Sequence, residues 1–93
     1  MTIGVLHIDL LVRGARSLKD KRRVIKSLKS QLRNRYNCSI AETDYHDLWQ
    51  RARITACVVS NESHHANTQL NEIARFAENK PGAELLDYQI ELL

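Results

Sequence analysis

Ninety-three residues, 43% hydrophobic and 27% charged, allow one small domain with an adequate apolar core and leave no room for a second. No apolar run approaches the ~20 residues that cross a bilayer, and "MTIGVLHIDLLVRG" has neither a basic leader nor a small-residue cleavage site, so a cytoplasmic protein without a membrane partner is expected. The net charge of +3 conceals a split: residues 10–36 hold ten basic side chains and one acid, a balance of +9, while the rest balances at −6, which favours an oriented encounter with a polyanion or an acidic protein face.

From Ile3 to Val12 the chain alternates, with Leu6, Ile8, Leu10 and Val12 on one face and His7, Asp9 and Leu11 on the other, the pattern of a half-buried strand. Gly14 ends it. Ser17 followed by Asp20 is close to a capping box and starts a helix that ends near Tyr36 and Asn37. Leu18, Val24, Ile25, Leu28, Leu32 and Tyr36 fall within about a third of its circumference, the width of a stripe that packs on a sheet.

The same helix is the most basic stretch of the chain. Arg22, Lys26, Lys29 and Arg33 line one side as a solvent-facing ridge, with Lys19 and Arg23 flanking it. At 1.5 Å per residue the ridge is roughly 16 Å long and can follow duplex phosphates, gaining affinity from counterion release without sequence specificity. An ordinary solvated face is the plain alternative, made costly by mutual repulsion because few acids lie four residues away. Arg16 stands just before the helix, where amides and the helix dipole favour a phosphate, although "GARS" lacks the spacing of a phosphate loop and also reads as a simple capped turn.

"CSIAETD" predicts a short strand with Cys38 and Ile40 inward, and "RARITACVVS" a longer one with Ala52, Ile54, Ala56 and Val58 inward. Asn61 then caps a second helix, with apolar positions Ala66, Leu70, Ile73, Ala74 and Ala77 and a stop at Pro81 and Gly82. The tail alternates Leu86, Tyr88, Ile90 and Leu92 against Leu85, Asp87, Gln89 and Glu91, a closing strand.

Strand, helix, strand, strand, helix, strand is the order of an α+β ferredoxin-like βαββαβ sandwich: a four-stranded antiparallel sheet with both helices on one face, over residues 1–93. Right-handed crossovers place the first and third strands centrally. The uncovered face then carries Leu11, Arg51, Arg53, Val59 and Leu85, a mixed apolar and charged surface suited to a partner subunit, and a homodimer through it is expected. It has no aromatic ring on which to stack bases as an RNA-recognition motif does, so RNA binding falls to the helix side.

Catalytic chemistry has one place to reside. Asp44, His46 and Asp47 in "DYHDLWQ" could supply a general acid and base or a weak metal site, with Trp49 as a stacking or docking anchor. The plainer reading makes the aspartates turn residues, with Leu48 and Trp49 tying the loop to the core. His64 and His65 are adjacent on a helix and diverge by 100°, so they do not share a metal. Cys38 and Cys57 form no CxxC pair, so no disulfide is expected. No metal, no cofactor and no enzyme is expected.

"GARSLKDKRRVIKSL" at Gly14–Leu28, "AETDYHDLWQRA" at Ala41–Ala52 and "VVSN" at Val58–Asn61 resemble the YlxP-like family of small bacterial proteins over nearly the whole chain. The resemblance implies a ferredoxin-like fold and brings no catalytic residues. In many bacteria the family's gene lies beside those of translation initiation and ribosome-binding factors, which implies a role in translation or ribosome assembly. The leading expectation is therefore an RNA- or ribosome-binding accessory protein that uses its basic helix. The alternative is a homodimeric interaction module presenting that helix to an acidic protein.

Overall fold

Strict alternation of buried and half-buried residues makes Thr2–Leu11 a strand with one dry face. In the computed structural model, which describes Met1–Leu93, it is the first of six elements: β1 (Thr2–Leu11), α1 (Leu18–Arg35), β2 (Ser39–Asp44), β3 (Arg51–Ser60), α2 (Ser63–Glu78) and β4 (Glu84–Leu92). The strands form one antiparallel sheet in the order β2-β3-β1-β4, so the two most apolar strands are central. This is the ferredoxin-like βαββαβ sandwich.

Leu6, Ile8 and Leu10 of β1 lie opposite Ala56, Ile54 and Ala52 of β3, and the two helices cover this face with Ile25, Leu28 and Leu32 from α1 and Ala66, Leu70, Ile73, Ala74 and Ala77 from α2. Small residues let α2 sit low on the sheet. At Gly4 a Cβ would stand only 2.7 Å from the Leu70 methyl, so a larger residue there would make the Leu70 side chain shift where α2 approaches β1.

Three details differ from the sequence reading. Glu62, not Asn61, is the N-cap of α2, and it makes no side-chain cap bond; the Ser60 hydroxyl instead accepts from the Glu62 amide. Ile90, whose place in the β4 alternation predicts a buried side chain, is only half-buried, because β4 is an edge strand that α2 covers incompletely. Leu85, expected on the open face, lies on the helix-covered face. Asp9 pairs with Asp87 but Leu10 pairs with Leu85, a bulge that inserts Leu86 and reverses the side-chain parity before it. Leu85 accordingly packs against the core.

Candidate nucleic-acid interface on the first helix

Ser17 and Asp20 build the start of α1 from the chain's own oxygens. The Ser17 hydroxyl accepts from the Asp20 amide at 3.1 Å, and the Asp20 carboxylate accepts from the Arg16 amide at 3.0 Å. An anion arriving at this end would meet side chains rather than free amides. Arg16, Lys19, Arg22, Arg23 and Lys26 are all exposed there. The chain makes four ion pairs, His7–Glu91, Arg13–Glu84, Lys21–Glu42 and Arg53–Asp9, and none includes these five residues.

The C-terminal half of the expected ridge is less free. Lys29 is half-buried, and the Arg33 guanidinium, although exposed, donates to the Ile40 carbonyl of β2 at 3.0 Å. Positions 25, 29 and 33 run along the flank of α1 that turns toward the edge strand, so the ridge expected to be wholly solvent-facing is drawn toward protein at that end. Arg35 lies 4.8 Å from the centre of the Phe76 ring. The uncommitted charge therefore concentrates in the first half of the helix.

Lys21 is the residue that sequence reasoning missed. It is 0% exposed on the inner face of α1, which it shares with Ile25, Leu28 and Leu32. Its ammonium donates to the carbonyls of Tyr45 at 2.8 Å, Arg51 at 3.0 Å and His46 at 3.4 Å. Glu42 Oε2 lies 3.1 Å from it, in ionic contact but off hydrogen-bond alignment, and Glu42 faces inward because it pairs with Ile54. The signal was present: position 21 is four before Ile25, on the apolar stripe, and Glu42 is two after inward-facing Ile40, so opposite charges stood on two core-directed faces.

This ammonium fastens the loop between β2 and β3. Tyr45 has φ +62, a left-handed conformation that costs a residue with a Cβ roughly 1–2 kcal/mol. Asp44 Oδ1 accepts its amide at 2.7 Å, and its carbonyl accepts from both Lys21 and the Leu48 amide. The Tyr45 ring stacks with Arg51, whose guanidinium carbon is 4.7 Å from the ring centre. Gln50 closes the loop onto the start of α1, its side-chain amide donating to the carbonyls of Arg13 and Ala15. Leu48 and Trp49, expected to tie the loop inward, instead remain 48% and 54% exposed, because Lys21 and Gln50 already anchor the loop through its backbone and leave its tip outside.

Residues 3–90 match the family described as "Protein of unknown function (DUF503)". The chain belongs to the DUF503 family. The chain is also similar to the Bacillus subtilis (strain 168) protein named "Uncharacterized protein YlxP", 32% identical over 82 residues, 88% of this chain and 89% of that one. Among solved structures, the solution NMR structure of a de novo designed protein with a ferredoxin fold aligns over 100% of this chain and 83% of its own, at 17% identity and a TM-score of 0.43. No helix of this DUF503 chain is long and apolar enough to cross a membrane.

The open sheet face of this family member is internally satisfied at its polar end. Asp9 receives two hydrogen bonds from Arg53, at 2.8 and 3.2 Å, and this guanidinium holds the Asp9 carboxyl below its usual value despite partial burial. His7 Nδ1 meets the Thr55 hydroxyl at 2.9 Å, Thr55 meets Thr43 at 2.8 Å, and His7 Nε2 lies 3.5 Å from Glu91. Of the expected interface residues, Arg53 is bound within the chain, Arg51 is stacked on Tyr45, Leu85 is on the other face and Leu11 is half-buried. Val59 is 67% exposed and pairs with Ile3, so the apolar area lies at the opposite end of the sheet from Leu11.

Asp44, His46 and Asp47 do not converge. Asp44 caps the Tyr45 amide, His46 Nε2 meets the Glu42 carbonyl at 3.1 Å, and Asp47 is exposed. No group of three or more His, Cys, Asp or Glu side chains is placed to hold a metal. Cys38 and Cys57 are free, and burial raises the Cys38 thiol above its ordinary value.

Proposed function

We propose that this protein is a cytoplasmic, non-catalytic accessory factor of translation or ribosome assembly that binds structured RNA through the first half of α1. The observation that carries the reading is the set Arg16, Lys19, Arg22, Arg23 and Lys26, five exposed cations outside every ion pair, with Asp20 the one acid among them and its carboxylate turned onto the Arg16 amide. Phosphate is the ligand chemistry such a row serves, since each neutralised phosphate releases condensed counterion. Two free cysteines agree with a reducing compartment.

Titrating the protein against isolated structured RNA at several salt concentrations tests the reading. If about four phosphates are neutralised, log affinity falls against log salt with a slope of roughly −3 to −4, about two powers of ten between 50 and 200 mM. Failure to bind isolated RNA, with retention by RNA-free acidic protein, would favour the interaction-module reading. A second copy on the open sheet face is supported by the exposed Val59 beside Ile3. Sedimentation that shows a dimer converted to monomer by Val59→Lys would support it, and a monomer at high micromolar concentration would remove it.

A further inference from the structure

Trp49 is the only tryptophan of the chain, and the fold leaves it 54% exposed at the tip of a loop that is otherwise firmly held. An indole set in water on a mobile loop has little use as a binding element, because ordering it on binding costs entropy. Here that ordering is already done. The residue after it, Gln50, is bonded through its side chain to the carbonyls of Arg13 and Ala15, and its own carbonyl accepts from the Val12 amide at 2.8 Å. The buried Lys21 ammonium holds the loop from beneath at the Tyr45 and His46 carbonyls and at that of Arg51, where β3 begins. These bonds hold the loop against the Val12–Ala15 turn that leads into α1 and against Lys21 in its first turn, and Arg16, Lys19 and Arg22, exposed and outside every ion pair, belong to the same end of the helix.

We infer that Trp49 is a stacking platform for an unpaired base of the bound RNA, with Arg16, Lys19 and Arg22 holding the phosphates beside it. The inference rests on the RNA reading of α1 and adds the class of site: a junction, bulge or overhang rather than uninterrupted duplex. An aromatic face beside cations is the chemistry that takes single-stranded nucleotides, because every base has a π face and every nucleotide a phosphate. Asp44, at the end of β2, has one carboxylate oxygen turned back onto the Tyr45 amide, and Asp47 is the one acid within the loop itself.

The test uses a blunt RNA duplex and the same duplex extended by a short adenosine overhang, read by affinity and by the intrinsic fluorescence of Trp49. The overhang is expected to bind more tightly and to quench the indole, whereas the blunt duplex leaves its emission nearly unchanged. Trp49→Ala, checked for an unchanged melting temperature, should weaken the overhang complex about 5- to 150-fold, the effect of one lost stacked base, and leave the blunt duplex unaffected. Trp49→Phe should retain most of the preference. Equal affinity for the two duplexes in the wild type, or a preference that survives Trp49→Ala, overturns the platform while leaving the α1 reading intact. Binding to neither RNA overturns both, and dependence on Trp49 only for an RNA-free acidic protein makes the residue a protein anchor and overturns the inference.

Discussion

Lys21 is fully buried on the inner face of α1, where its ammonium meets Glu42 and three backbone carbonyls. A stripe drawn through apolar letters alone skips a lysine, yet its 3.6-residue period passes through position 21, where the long side chain carries its ammonium to the loop carbonyls. Lys21→Met should destabilise the fold by about 3–5 kcal/mol, because Glu42 is left as an uncompensated inward-facing charge. Adding Glu42→Leu should recover only part of that loss, since the loop carbonyls still lack their donor. Denaturant titration checks both, and a loss below about 1 kcal/mol for the single change would contradict the clamp. Asp9 gives a second test. Its folded value is lowered by Arg53, so its contribution is present above the ordinary value of 3.8 and is lost as pH falls through the lowered folded value. Stability measured against pH should therefore fall less steeply below pH 3.8 in Asp9→Asn than in the wild type, while the variant is the less stable of the two at neutral pH.

At the scale of the elements, periodicity specified most of the architecture. The alternation of β1 and β3, the Ser17–Asp20 cap and the α2 pattern each survive in place, because each is a local signal reinforced by burial on one face. What was not legible depends on pairing. The β4 bulge moved Leu85 to the core face through its register with β1, which no letter of β4 announces. The flank of α1 holding Lys29 and Arg33 meets β2 only once the helix is docked. The inner face of α1 is open to a direct check. Leu28 is fully buried, and Leu28→Ala should cost about 2–5 kcal/mol in denaturant titration through lost transfer energy and a residual cavity. Arg22→Glu on the opposite side should change stability by no more than about 0.5 kcal/mol. Similar losses for both would mean that the helix is rotated from the stated orientation.

At the scale of the molecule, the charge split in the sequence becomes a geometry in which the free cations gather around one end of α1 and the loop that Lys21 and Gln50 brace beside it. Three acids are paired elsewhere, Asp9 with Arg53, Glu84 with Arg13 and Glu42 with Lys21, and the Asp20 carboxylate at this end is turned onto the Arg16 amide. The most direct measurement compares binding of structured RNA by the wild type and by a variant carrying Lys19→Glu, Arg22→Glu, Arg23→Glu and Lys26→Glu, at fixed salt and with melting temperatures shown to be unchanged. A loss of at least about a hundredfold is expected in the variant, with a salt slope shrunk toward zero. RNA affinity and slope that survive the four substitutions would contradict it.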